Sequence, residues 1–201
     1  MTDFYLLESP GERTYQYARE DASLVGLNTV VCEACRRTVS VWEFREPHCL
    51  IVEGGAKYPD WLPFVGAGGS LFVLSERALE VFSDNGITGL ADIAPIRVMR
   101  EQNGELVALP ESAPQYLLVQ IDGRIELDLG KMFLKRKKLC KSCGSFEWNR
   151  QRFRPLFLDE EGWDGSDLCR IGDIPGYIIC TERIVKLVRE KKLKGFSFKK
   201  L

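Results

Sequence analysis

The sequence predicts an α+β fold: antiparallel-rich sheets with a few helices, and an internal duplication of a strand–CxxC–strand–helix–strand unit. Three observations carry this reading. Two segments that read as strand, then helix, match without gaps at an offset of 106 residues. Two Cys-x-x-Cys pairs repeat at an offset of 108. Elsewhere, short apolar runs are broken by Asn-Gly, Asp-Gly and Gly/Pro-rich turn signals.

In chain order, FYLLE from Phe4 reads as an opening strand, and YLLVQ from Tyr116 echoes it. VVCEACRRT carries the first knuckle, Cys32 and Cys35. IVEGGAKYPDWLPFVGAGG reads as a long connection, because its glycines lack the strand–GxxxxGK(S/T)–helix order of a phosphate loop. FVLSERALEVFSDNGITGL from Phe72 matches IICTERIVKLVREKKLKGF from Ile178. In each, Ser75 or Thr181 is the N-cap, whose side-chain oxygen can accept a free N–H of the first turn. Glu76 and Glu182 place negative charge at the positive helix end. Ala78, Leu79 and Phe82, and Ile184, Val185, Leu187 and Val188, form apolar faces. Lys191, Lys192 and Lys194 lie at the C-terminal end of the second helix, and Gly89 and Gly195 close the two segments. PIRVMREQNGELVAL reads as a hairpin turning at Asn103-Gly104. YLLVQIDGRIELDL reads as another, turning at Asp122-Gly123, with Arg124, Glu126 and Asp128 facing water. KLCKSCGSF carries the second knuckle, Cys140 and Cys143, and DEEGWDGSD reads as an exposed loop apart from Trp163. The halves are 1–110 and 111–201, one knuckle each, packed as one compact unit.

Composition narrows the class. A chain of 201 residues that is 45% hydrophobic can bury a substantial core. There is no apolar run of about 18 residues and no basic-then-apolar leader, so a cytoplasmic protein without a membrane span is expected. In a reducing compartment its seven cysteines serve as thiols or metal ligands. Residues 1–110 hold 9 Lys+Arg and 16 Asp+Glu, whereas residues 111–201 hold 19 and 13. That asymmetry either steers a charged partner or draws the halves together. No GxSxG, HExxH or Gly-rich nucleotide loop is present, and His48 is the only histidine, so no catalytic constellation is expected.

Cys32, Cys35, Cys140 and Cys143 have the ligand type and spacing of one structural zinc ion. The x2 spacing lets two sulfurs reach one ion from one tight turn. Gly144 suits that turn, since glycine tolerates positive φ, and Arg36 suits it less well. The gap of 104 residues between knuckles exceeds that of an ordinary zinc ribbon. The duplication is what would bring them face to face. Metal-free thiols at turns and a redox CxxC are the alternatives, though neither knuckle opens a helical pattern. Cys180 ends the run YIIC and reads as a core thiol; Cys49 and Cys169 have mixed surroundings, and His48 beside Cys49 reads as polar surface. The basic run KMFLKRKKLCK invites a nucleic-acid reading, but the sequence pI is about 6.0 and the run is not interleaved with repeated aromatics, so nucleic acid is not the expected partner.

The order CxxC, LFVLSERALEVFSDNGITGL, DGRIELDL, CKSCG and DLCRIGDIPGYIICTERIVKLVREKKLKGFSF resembles the double-CXXCG motif proteins. This is a myxobacterial-type family similar to the immunity proteins of polymorphic toxin systems. The resemblance runs from about residue 25 to the end, and Arg36 departs from it at the first knuckle. It implies a cytosolic inhibitor that binds a cognate toxin protein and needs no catalysis. The alternative is a zinc-ribbon nucleic-acid-binding or transcription-associated module.

Overall fold

The computed structural model describes residues 2–8, 16–20, 25–36, 38–44, 49–54, 57–63, 71–149, 154–172, 174 and 176–201. The elements of the first half are β1 (Phe4–Glu8), β2 (Gln16–Glu20), β3 (Val25–Val31), β4 (Thr38–Phe44), β5 (Cys49–Gly54), β6 (Trp61–Leu62), β7 (Leu71–Ser75), α1 (Glu76–Asp84), β8 (Leu90–Pro95), β9 (Arg97–Gln102) and β10 (Glu105–Ala108). Those of the second are β11 (Tyr116–Ile121), β12 (Arg124–Leu127), β13 (Arg136–Lys137), β14 (Glu147–Trp148), β15 (Leu158–Asp159), β16 (Leu168–Ile171), β17 (Ile178–Thr181), α2 (Glu182–Glu190) and β18 (Ser197–Lys200). The class is α+β. Among the described strands, only β5 with β9 and β12 with β16 pair in parallel.

Each half lends its first strand to the other. One sheet has the order β6-β7-β11-β8, and another ends β16-β17-β1-β18. Thus β11 lies between the two strands that flank α1, and β1 between the two that flank α2. The registers correspond. Tyr116 faces Ser75 and Leu118 faces Val73; Phe4 faces Thr181 and Leu6 faces Ile179. On the other edge Leu117 faces Pro95, as Tyr5 faces Lys200. The first free N–H of each helix goes to the residue before the lent strand: Glu76 donates to Gln115 O and Glu182 to Asp3 O.

Side-chain alternation explains why these strands must be central. On β11, Val119 and Ile121 enter a core shared with both helices, while Tyr116 and Leu118 face a smaller core with Leu50, Val52 and Leu62. On β1, Leu7 enters the shared core, while Phe4 and Leu6 face a third core with Ile125, Leu127 and Ile179. A strand buried on both faces reads as a continuous apolar run, and FYLL and YLLV have that character. The helical faces read from the sequence meet in the shared core through Phe82, Ile184, Val185 and Val188.

Two buried carboxylates lock the exchange. Asp60 accepts from Ser75 Oγ at 2.8 Å and Arg77 Nη1 at 3.3 Å in its own half, and from the Lys194 N–H at 2.7 Å in the other. Asp167 accepts from Thr181 Oγ1 at 2.9 Å and Arg183 Nη1 at 2.8 Å in its own half, and from the Thr88 N–H at 3.2 Å in the other. Each arginine also reaches across, Arg77 to the Lys191 carbonyl and Arg183 to those of Asn85 and Gly86. Gly89 and Gly195 follow at φ +89° and +88°. A Cβ on Gly89 would fall 2.0 Å from Leu168 O, and one on Gly195 would fall 2.7 Å from Trp61 O. Glycine is required there by both backbone conformation and close chain approach.

Four expectations need adjusting. Asn103-Gly104 turns a hairpin as read, with both residues at positive φ. Asp122-Gly123 does not: β11 and β12 join different sheets, because Gly123 is pressed against the Leu168 carbonyl and the chain crosses over there. Thr181 occupies the N-cap of α2 but makes no capping bond, since its hydroxyl is spent on Asp167. The long Gly/Pro connection contains buried Asp60, Trp61 and Leu62, and DEEGWDGSD contains buried Asp167.

Asp167→Ala leaves the Thr181 hydroxyl and the Thr88 N–H without their acceptor and Arg183 without its carboxylate. Urea unfolding should show a loss of about 3 kcal/mol or more, with a similar loss for Asp60→Ala. Lys186→Ala breaks the exposed pair with Glu182 and should leave the urea midpoint essentially unchanged.

Candidate metal centre

Both knuckles sit at hairpin tips. The first joins β3 to β4, where Val31 faces Thr38. The second joins β13 to β14, where Lys137 faces Glu147. Each tip is the same turn: the residue after the second cysteine donates its N–H back to the first cysteine's carbonyl. Arg36 does so to Cys32 at 2.8 Å and Gly144 to Cys140 at 2.9 Å. Both are left-handed, at φ 59° for Arg36 and φ 70° for Gly144. The turn therefore forms without the glycine, and Arg36 bears the strain, which is about 1–2 kcal/mol for a residue with a Cβ.

The tips bring the four predicted ligands together. The Sγ atoms of Cys32, Cys35, Cys140 and Cys143 all lie within 4.8 Å of one another, close enough to hold a metal ion. Cys32 and Cys140 are 3.9 Å apart, and Cys35 and Cys143 are 3.7 Å apart. A tetrahedral ion with metal–sulfur bonds near 2.3 Å spaces its sulfurs about 3.8 Å apart, so the four side chains fit such an ion closely. Cys140 is buried and the other three are half-buried. Cys49, Cys169 and Cys180 are buried and stand outside the cluster. Burial pushes the Cys169 thiol up to about 12, and the Cys180 thiol upward as well. His48 lies outside the described residues.

Ser145 was not foreseen. Its Oγ is 2.8 Å from Cys143 Sγ and 3.8 Å from Cys35 Sγ, and its carbonyl receives the Cys140 N–H at 2.9 Å. The Ser145 hydroxyl, then its backbone N–H, lower the Cys143 thiol to about 6. Such partners orient and tune metal ligands. A hydroxyl directly after the Cys-Gly pair was the available signal. The basic run is partly internal to the hairpin: Arg136 lies over the rings of Phe146 and Trp148, and Lys138 pairs with Glu147 at 2.9 Å. Lys135, Lys137 and Lys141 are exposed, as are Val31 and Leu139 just before each first cysteine.

Comparison with protein-family models and with curated proteins gives no match, so the family resemblance stands on its quoted residues alone. No helix among the described residues is long and apolar enough to cross a membrane.

The two turn residues should respond with opposite sign. Gly144→Ala should destabilise the metal-loaded chain by about 1 kcal/mol, and Arg36→Gly should leave it unchanged or stabilise it by up to about 1 kcal/mol, in chemical denaturation. In chelator-stripped protein, iodoacetamide should alkylate Cys143 first, with a rate that falls as pH drops through about 6 and its thiolate protonates. Reloading with metal should protect all four cysteines, as read by peptide mass spectrometry.

Proposed function

We propose that the chain is an immunity-type protein that neutralises a cognate toxin by direct protein–protein contact in the cytoplasm, and that Cys32, Cys35, Cys140 and Cys143 hold one structural zinc ion. The convergence of four thiols at tetrahedral spacing carries this reading. A shell of four thiolates leaves no coordination position for substrate, which separates a structural ion from a catalytic one. The protein is accordingly a non-catalytic binder, in line with its resemblance to the double-CXXCG proteins. The opposite charge of its two halves supports steering toward a charged partner. The scaffold is the product of an internal duplication in which first strands were exchanged. The matching registers of β1 and β11, and the equivalent surroundings of Asp60 and Asp167, support this.

One observation favours a second reading, a zinc-ribbon nucleic-acid module: Lys135, Lys137 and Lys141 are exposed beside the second knuckle. The two readings separate in one set of measurements. The tagged chain should co-purify with the product of the adjacent gene and block its toxicity, and freshly purified protein should contain one zinc, reduced in Cys143→Ser. Tight, steeply salt-dependent binding to DNA or RNA, without such a partner, would select the module instead.

A further inference from the structure

We infer that the centre exchanges a metal staple for a disulfide staple when oxidised by two electrons per bond, four in all, forming Cys32–Cys140 and Cys35–Cys143 and releasing its ion. This rests on the zinc reading above. Two contacts run across the knuckles, 3.9 Å for Cys32 with Cys140 and 3.7 Å for Cys35 with Cys143. A disulfide bond is about 2.05 Å long, so each pair closes by less than about 2 Å. Each bond would join the first half to the second, as the ion does. The centre is open to a small oxidant, since three of its thiols are half-buried and Val31 and Leu139 beside it are 50% and 61% exposed. Ser145 Oγ stands beside the same pair, 2.8 Å from Cys143 Sγ and 3.8 Å from Cys35 Sγ.

With hydrogen peroxide as oxidant, the Cys143 thiolate attacks one oxygen and the O–O bond breaks. This gives a sulfenic acid and hydroxide, which takes a proton from solvent. The Cys35 thiolate then attacks the sulfenic sulfur, forms the S–S bond and expels the second hydroxide, which is likewise protonated. Each disulfide consumes one peroxide, two thiolates and two protons, and yields two waters. The first disulfide removes two of the four ligands, and the ion leaves. Chelation frees the knuckles from each other; oxidation leaves them joined, and the first bond closes a loop of more than one hundred residues, which restrains an unfolded chain more than a short loop does.

The test titrates the full, zinc-loaded chain with hydrogen peroxide. Zinc release is followed with a colour-forming chelator, bond positions by non-reducing peptide mass spectrometry, and folding by thermal melting. The expected result is complete zinc release by about two peroxide equivalents, with Cys32–Cys140 and Cys35–Cys143 peptides. The oxidised chain should melt above the reduced, metal-free chain, and dithiothreitol with zinc should restore the starting state. A Cys32→Ser, Cys140→Ser double variant should still form Cys35–Cys143. Disulfides within a knuckle, sulfinic acids at the four cysteines, or an oxidised chain that melts with or below the metal-free one would each overturn the exchange alone. A chain that binds no zinc at the outset would overturn the zinc reading, and the exchange with it.

Discussion

Asp60 and Asp167 are carboxylates buried where a charge is tolerated only if fully partnered, and neither finds enough donors in its own half. Each takes a hydroxyl and a guanidinium from the helix start nearby, and completes its shell with a backbone N–H from the other half. Removing a charge of this kind from water costs several kcal/mol, repaid only when geometry and hydrogen bonds are both good. The arrangement therefore penalises any packing in which the halves are displaced. Thr88 and Lys194, which donate those N–H groups, immediately precede Gly89 and Gly195, where the chain lies against the opposing backbone.

The exchange also explains the distribution of apolar residues. Because β1 and β11 each have two buried faces, the described residues form three cores, and the central one is built by both helices together. A unit whose first strand belongs to its neighbour cannot close its own sheet. The central core takes residues from both sides of the division read at residue 110.

Much of this was legible from residues, within limits set by locality. The helix starts were clear, because Ser75-Glu76-Arg77 and Thr181-Glu182-Arg183 carry capping and dipole signals that act within a few residues. The meaning of their arginines was not. Their partners lie 17 and 16 residues upstream, in stretches that read as loops. The same limit produced the misreading at Asp122-Gly123: Asp-Gly marks a change of direction, but pairing depends on which sheet receives the next strand. The four cysteine ligands were legible as a set, since x2 spacing is local and its repetition at 108 is a counting matter. Arg36 was judged by the intrinsic cost of its backbone conformation. It adopts that conformation regardless, because the turn is held by the Cys32 carbonyl, by the hairpin behind it and by the opposing knuckle.

The two kinds of fastening have different duties. The carboxylate locks lie inside the cores and fix how the halves interpenetrate. The thiols lie at the tips of β3–β4 and β13–β14, which pair only with each other as two-stranded ladders among the described strands. A two-stranded hairpin is marginal by itself in water. Val31 and Leu139 remain exposed at the tips, so burial of those side chains adds little to hold them. Among the described residues, the sulfur cluster and Ser145 join one tip to the other. A crosslink at that cluster would set the order of the two hairpins while the carboxylates keep the cores assembled. Control of this protein through its cysteines would thus act on a presented surface and leave the underlying fold in place.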